Sequence, residues 1–101
     1  MIAQILIADD SSDIVMVLDE YLSGKGNRVI AASDGYQLAQ KAEEHRPHLI
    51  ITDIQMPGAY GSSAYQVLQK NGSTRNIPVI FMSAHSLTKL APFFPRIPKP
   101  A

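Results

Sequence analysis

Short apolar runs recur along the chain, and each is bounded by polar or turn-forming residues. Runs of this length that are rich in β-branched residues indicate buried strands. The predicted strands span residues 2–8, 28–32, 48–53 and 77–84. The first is followed by Asp9 and Asp10, and the third ends in Asp53. Two predicted strands therefore run into acidic side chains.

The segment after the first strand has the spacing of an amphipathic helix. Its apolar face is predicted to contain Ile14, Val15, Leu18, Tyr21 and Leu22. Ser11 or Ser12 is suited to cap the start of this helix, since a hydroxyl accepts a hydrogen bond from a free backbone N–H. Gly24 or Gly26 is suited to end it in a left-handed conformation.

The second predicted helix has clear signals at both ends. It begins at Ser33 or Asp34, and Gln37 completes a variant of the capping box. Pro47 cannot continue a helix, so the helix should not extend beyond Arg46.

A third helix is predicted within residues 61–72, where Ala64, Val67 and Leu68 have helical spacing and Gly72 marks the stop. The pattern weakens beyond residue 84. Prolines stand at positions 92, 95, 98 and 100. Because proline cannot donate to a ladder, a strand in this region must lie at a sheet edge.

Strands that alternate with helices over short connections predict an α/β fold, with a doubly wound parallel sheet and right-handed crossovers. The chain shows no internal repeat and no linker, so residues 1–101 are interpreted as a single domain.

The formal net charge is zero, so no overall field favours nucleic acid or an anionic membrane. The absence of cysteine excludes a disulfide and a thiolate metal site. The apolar run at the start lacks a basic region and is too short to span a bilayer. These features predict a soluble cytoplasmic domain with no direct contact to nucleic acid or membrane.

In an open parallel sheet, functional groups collect beyond the carboxyl ends of the strands. The predicted ends carry the Asp9-Asp10 pair, Asp53, Ser83 and, after the last segment, Lys99. Neighbouring carboxylates repel one another unless a cation lies among them, and Mg²⁺ prefers oxygen ligands. A carboxylate can also attack phosphorus to form an aspartyl-phosphate. This combination favours phosphoryl transfer.

Several stretches together resemble the receiver domain of response regulators, similar to the bacterial chemotaxis response regulator. They are ILIADD (5–10), ASDG (32–35), HLIITDIQMPG (48–58), PVIFMSA (78–84) and the pair Lys99-Pro100. The resemblance implies a five-stranded sheet of order 2-1-3-4-5.

The resemblance also implies roles for individual residues. Asp53 would be the phosphoacceptor. Asp10 would bind Mg²⁺ directly and Asp9 through water, and the backbone carbonyl of Gln55 would be a further ligand. Ser83 would supply the switch hydroxyl.

Lys99 would pair with Asp53 or its phosphate, and its bond to Pro100 would be cis, which X-Pro peptides allow at low cost. The implied donor is a phosphohistidine on a sensor kinase or phosphotransfer protein. The implied function is a signalling switch that acts on a downstream protein or an appended output domain, not an enzyme with its own substrate.

The chain departs from this family near its C-terminus. Residues 84–98 are fewer than the family places before the lysine, so the fourth helix should be shortened. Arg96 stands where an aromatic switch residue is expected. The fifth helix of the family is missing. The chain is expected to be a fragment or to lack internal segments, and a naturally minimal receiver is the alternative. Apolar surface should then be bare, and a homodimer through the uncovered sheet face or edge is expected.

Other interpretations compete with the phosphorylated switch. Asp9 and Asp10 could be strand-exit or capping residues, and Asp53 could open a turn. A phosphatase of the haloacid dehalogenase type needs a second Asp two positions after its nucleophile, and that position holds Gln55. A third alternative is a protein-binding module that keeps the fold without the chemistry.

Overall fold

Strands and helices alternate throughout the part of the chain that the computed structural model describes, residues 2–53 and 61–82. The elements are β1 (Gln4–Ala8), α1 (Ser12–Gly24), β2 (Arg28–Ala32), α2 (Gly35–His45), β3 (Leu49–Asp53), α3 (Gly61–Lys70) and β4 (Val79–Met82). The predicted α/β class is confirmed. Within these ranges, no helix combines the length and the apolar character that crossing a membrane requires.

The described strands form one sheet in the order β2-β1-β3-β4, and every neighbouring pair is parallel. The chain moves outward from β1 to β2 and then crosses back over β1 to β3. This order agrees with the first four strands of the predicted 2-1-3-4-5 sheet. The predicted fifth strand, shortened fourth helix and cis bond before Pro100 lie outside the described residues.

Right-handed crossovers place α1 on one face of this sheet and α2 and α3 on the other. The face under α2 and α3 carries the main core. The buried side chains of this core are Leu6, Ala8, Ala32, Leu38, Ala42, Ile50, Ala64 and Leu68. Ile5 and Ile7 alternate with Leu6 and Ala8 along β1, so they point to the opposite face, where they are also buried.

The predicted helix ends are found where local chemistry places them. Ser11 is the N-cap of α1, and its hydroxyl accepts a hydrogen bond from the backbone N–H of Ile14 over 3.4 Å. Gly26 follows the helix with a φ of 89°, in the left-handed region that favours glycine.

Helix α2 begins after Asp34, whose carboxylate accepts from the Gln37 N–H over 2.8 Å. The Gln37 side chain in turn accepts from the N–H of Ser33 over 3.0 Å. In the usual capping box this bond comes from the N-cap residue itself, whereas here it comes from the residue before the N-cap. The helix ends at His45, and Arg46 takes a left-handed conformation before Pro47. The predicted boundaries of α2 are confirmed.

One side chain assigned to the apolar face of α1 is in fact exposed. Tyr21 is 64% exposed, whereas Ile14, Leu18 and Leu22 are half-buried. At about 100° per residue, Tyr21 lies roughly 60° from Leu18, at the margin of the apolar stripe. The ring instead lies 5.6 Å from the Lys25 ammonium, a cation–π geometry.

Candidate functional site

Strands β1 and β3 lie side by side and carry acidic residues to the same edge of the sheet. Ala8 is paired with Thr52 in the parallel register, so Asp9 arrives beside Asp53. Asp10 is the next residue. One carboxylate oxygen from each of Asp9, Asp10 and Asp53 lies within 4.8 Å of the other two. The structure therefore brings together the acidic residues that the sequence placed on separate strand ends.

The backbone holds Asp9 firmly inside the sheet edge. Its N–H donates to the carbonyl of Ala32 over 3.0 Å, which ties the residue after β1 to the last residue of β2. The side chain is 1% exposed. Asp53 is 3% exposed, whereas Asp10 is open to solvent. The cluster thus has two buried carboxylates and one that faces the solvent.

The two oxygens of Asp9 have different surroundings. Oδ1 accepts a hydrogen bond from the Ser11 N–H over 2.8 Å. Oδ2 is buried and has no hydrogen-bond partner among the described residues. A buried carboxylate oxygen without a donor is costly, because the lost hydration is not replaced.

Burial raises the pKa of the Asp9 carboxyl above its usual value, because desolvation disfavours the charged form. The nearby carboxyls of Asp53 and Asp10 raise this pKa further, whereas the Ser11 N–H lowers it. The protein scaffold alone therefore opposes a charge at Asp9.

This arrangement fits a hard divalent cation. Three carboxylates supply oxygen ligands. One buried oxygen, Oδ2 of Asp9, has no donor among the described residues, and the exposed Asp10 leaves a side open to water. Mg²⁺ prefers oxygen ligands and retains several waters, so it is usually held by a partial protein site of this kind.

The capping alternative explains only part of the Asp9 environment. Ser11 already caps α1 through its hydroxyl, and Asp9 Oδ1 forms a local turn with the Ser11 N–H. Neither contact uses Oδ2. The turn-opening alternative for Asp53 concerns residues 54–60, which lie outside the described residues.

Three further predicted site residues also lie outside the described ranges. They are Gln55, Ser83 and Lys99. Their proximity to the acidic cluster stays a prediction.

A groove next to the cluster was not predicted from the sequence. This groove has a volume of about 410 Å³ and lies between α1, the end of β2 and the start of α2. Asp19 lines it together with Ser12, Val15 and Met16. The signal was present in the sequence, because positions 12, 15, 16 and 19 share one face of a helix.

Residues 5–93 match the model of the response regulator receiver domain family. The chain belongs to this family. The resemblance inferred from the sequence motifs is thereby confirmed.

Curated relatives of this receiver domain include whole regulators that are longer than the chain. It is 36% identical over 81 residues to the protein PilH of Pseudomonas aeruginosa, covering 80% of this chain and 67% of PilH. It is 35% identical over 88 residues to the transcriptional regulatory protein YrkP of Bacillus subtilis. That match covers 87% of this chain but 36% of YrkP, so the receiver domain spans about a third of that relative.

Solved receiver structures share the same fold. The receiver domain of the sensor histidine kinase PA1611 from Pseudomonas aeruginosa superposes with a TM-score of 0.79 at 27% identity. The superposition covers 91% of this chain and 75% of that one. The PA1611 receiver has a magnesium ion coordinated in its active site cleft.

Proposed function

We propose that this receiver domain accepts a phosphoryl group on Asp53 and transmits the signal within a two-component pathway. The observation that carries the proposal is the meeting of Asp53 with Asp9 and Asp10 at one edge of the sheet. Asp53 ends a strand at the carboxyl edge, where open parallel sheets bind their ligands.

The reaction is a phosphoryl transfer from a phosphohistidine to the Asp53 carboxylate. An oxygen of Asp53 attacks phosphorus and forms an O–P bond, the P–N bond breaks, and its electron pair stays on the imidazole nitrogen. Ser83 would donate a hydrogen bond to a phosphoryl oxygen, and the Lys99 ammonium would pair with the negative charge.

Asp9, Asp10 and Asp53 would hold a magnesium ion, with the Gln55 backbone carbonyl as a further ligand. When bound, Mg²⁺ supplies positive charge that offsets the repulsion between an incoming phosphoryl group and the carboxylates. Oδ2 of Asp9, which has no hydrogen-bond partner among the described residues, supports this assignment. So does the magnesium ion in the PA1611 receiver.

The proposed role is a switch, not turnover of an independent substrate. Phosphorylation would shift the receiver toward a state that binds its partner. The donor would be a sensor kinase or a phosphotransfer protein in the cytoplasm. The name of YrkP, a transcriptional regulatory protein, supports an output in transcription. A homodimer through an open sheet face or edge belongs to the same proposal.

Two alternative functions differ from this proposal at the same site. A phosphatase of the haloacid dehalogenase type needs a carboxylate where this chain has Gln55. A protein-binding module without phosphorylation would leave Asp53 unmodified in the presence of a donor.

The test is incubation of the protein with Mg²⁺ and acetyl phosphate, followed by mass spectrometry of the intact chain. We expect the mass of one added phosphoryl group on the wild type and none on Asp53→Asn. Asp13→Asn is the matched control, because Asp13 is an exposed carboxylate in the first turn of α1 and lies outside the cluster.

Absence of the adduct on the wild type, or its persistence on Asp53→Asn, would defeat the proposal. Loss of the adduct in Asp13→Asn would show that acidic surface charge in general, and not the cluster, governs the reaction.

A further inference from the structure

The groove beside the acidic cluster has an apolar floor and an acidic rim. Val15 and Met16 of α1 line it together with Ala31 and Ala32 at the end of β2, and its volume is about 410 Å³. Met16 is 61% exposed and Val15 is half-buried, so both apolar side chains are accessible to an incoming group.

Among the described residues, the charged side chains that line this groove are all acidic, and the Lys41 ammonium lies nearby, where it donates to the carbonyl of Ala31. Asp9, Asp10 and Asp19 line it, and no lysine, arginine or histidine is among its lining residues. An occupant that brings hydrogen-bond donors and positive charge would reduce the repulsion among these carboxylates.

Asp19 is the acidic residue that the groove does not share with the proposed metal site. It lies on α1 and is not a member of the Asp9, Asp10 and Asp53 cluster. The Ser23 hydroxyl donates to Asp19 Oδ1 over 2.6 Å and orients the carboxylate. One acidic group of the groove is thus held in place independently of any metal.

We propose that this groove binds the arginine side chain of a partner protein. The aliphatic stem of arginine packs against an apolar floor such as that of Val15 and Met16, while its head reaches the acidic rim. A guanidinium is planar, is less strongly hydrated than an ammonium and presents several donors to separate carboxylates. These properties favour arginine over lysine in a groove that is apolar inside and acidic at its edge.

The binding requires neither phosphate nor chemistry at Asp53. It can therefore be tested independently of the proposed phosphorylation. It gives the receiver a docking contact for a basic segment next to the site where a phosphoryl group would arrive.

The test is an NMR titration of the ¹⁵N-labelled protein with the blocked tripeptide Ac-Ala-Arg-Ala-NH₂. The same peptide with citrulline is the control, because citrulline has nearly the same shape and no charge. We expect saturable shifts at the amides of Val15, Ala31 and Ser33, and binding weaker by about fivefold or more with citrulline.

Two substitutions on the same helix turn test the assignment of Asp19. Asp19→Asn should weaken binding by about threefold, as expected for an exposed ion pair. Glu20→Gln removes the same charge from an exposed neighbour that does not line the groove, and it should leave the affinity unchanged. Equal effects of the two substitutions would mean that the peptide senses only the net charge of α1, and would overturn the proposal.

Three further titrations identify the occupant. In the first, the arginine peptide is titrated in the presence of Mg²⁺. Groove shifts that persist support the proposal, whereas complete loss of the shifts would mean that the peptide binds at the metal site. A lysine peptide that binds as tightly as the arginine peptide would contradict the preference for a guanidinium. Free arginine that binds more tightly than the blocked peptide would indicate a small-molecule ligand and not a protein partner.

Discussion

Asp9 is the residue whose charge the surrounding protein opposes most clearly. It is 1% exposed, it faces two other carboxyls, and the pKa of its carboxyl is raised chiefly by burial. A structure optimised only for stability would place an apolar or neutral side chain here. We infer that this position trades folding stability for its role in the acidic cluster.

We predict that Asp9→Asn increases the free energy of unfolding near neutral pH in the absence of divalent ions. The amide oxygen can still accept from the Ser11 N–H, and the amide NH₂ brings donors into a cluster of acceptors. Urea denaturation of both proteins measures the change.

The advantage of Asp9→Asn should depend on pH. The pKa of Asp9 is raised in the folded protein, so above pH 3.8, the ordinary pKa of this carboxyl, the folded wild type binds more protons than the unfolded chain. The stability contributed by Asp9 is therefore complete below that pH and is lost as pH rises through the raised native pKa. The gain from Asn should shrink on acidification and vanish near pH 3.8. A gain that is constant with pH, or equal in Asp13→Asn, would contradict this origin.

At the scale of elements, the ends of α2 are determined by adjacent residues. Asp34 accepts from the Gln37 N–H, and the Gln37 side chain returns to Ser33. All partners lie within four positions of one another, so a sequence pattern is sufficient to predict them. The buried Leu38 and Ala42 follow on the face that packs against the sheet.

We predict that Asp34→Ala lowers the free energy of unfolding by about 1 kcal/mol, because the Gln37 N–H loses its acceptor at the helix start. Asp34→Asn keeps an acceptor oxygen in the same place and should cost much less. Chemical denaturation of the two variants measures the difference. Equal losses would show that charge, and not the cap, matters at this position.

The apolar face of α1 shows where local reasoning fails. Spacing alone grouped Tyr21 with Leu18 and Leu22, yet Tyr21 is exposed and packs with Lys25. The buried width of a helix depends on which neighbours cover it, and periodicity does not contain that information.

At the scale of the molecule, the acidic cluster exists only when the sheet is assembled. Asp9 and Asp53 are far apart in the chain and meet because β1 pairs with β3. The unfolded chain offers no such cluster, so an ion that binds it will stabilise the folded state.

We predict that Mg²⁺ stabilises the wild type by about 2.7 kcal/mol at a concentration 100 times its dissociation constant. Thermal unfolding with increasing Mg²⁺ measures this as a rising midpoint. Asp10→Asn should reduce the rise strongly, since it removes a solvent-facing ligand, whereas Asp13→Asn should keep it. An equal rise in all three proteins would indicate a general salt effect instead of a site.

The order of the described elements, the cap of α2, the choice of Ser11 or Ser12 as the cap of α1 and the receiver family could all be predicted from the amino-acid sequence. Each of these depends on residues that are close in sequence or on motifs that can be recognised without knowing the tertiary structure. The sequence predicts that carboxylates collect at this edge of the sheet, but their approach to within 4.8 Å and the buried oxygen of Asp9 without a donor among the described residues are found only in the folded structure. The acidic groove that Asp19 lines between α1 and β2 is likewise found only there. These features depend on strand register and on the approach of helices to the sheet, which are set by long-range packing.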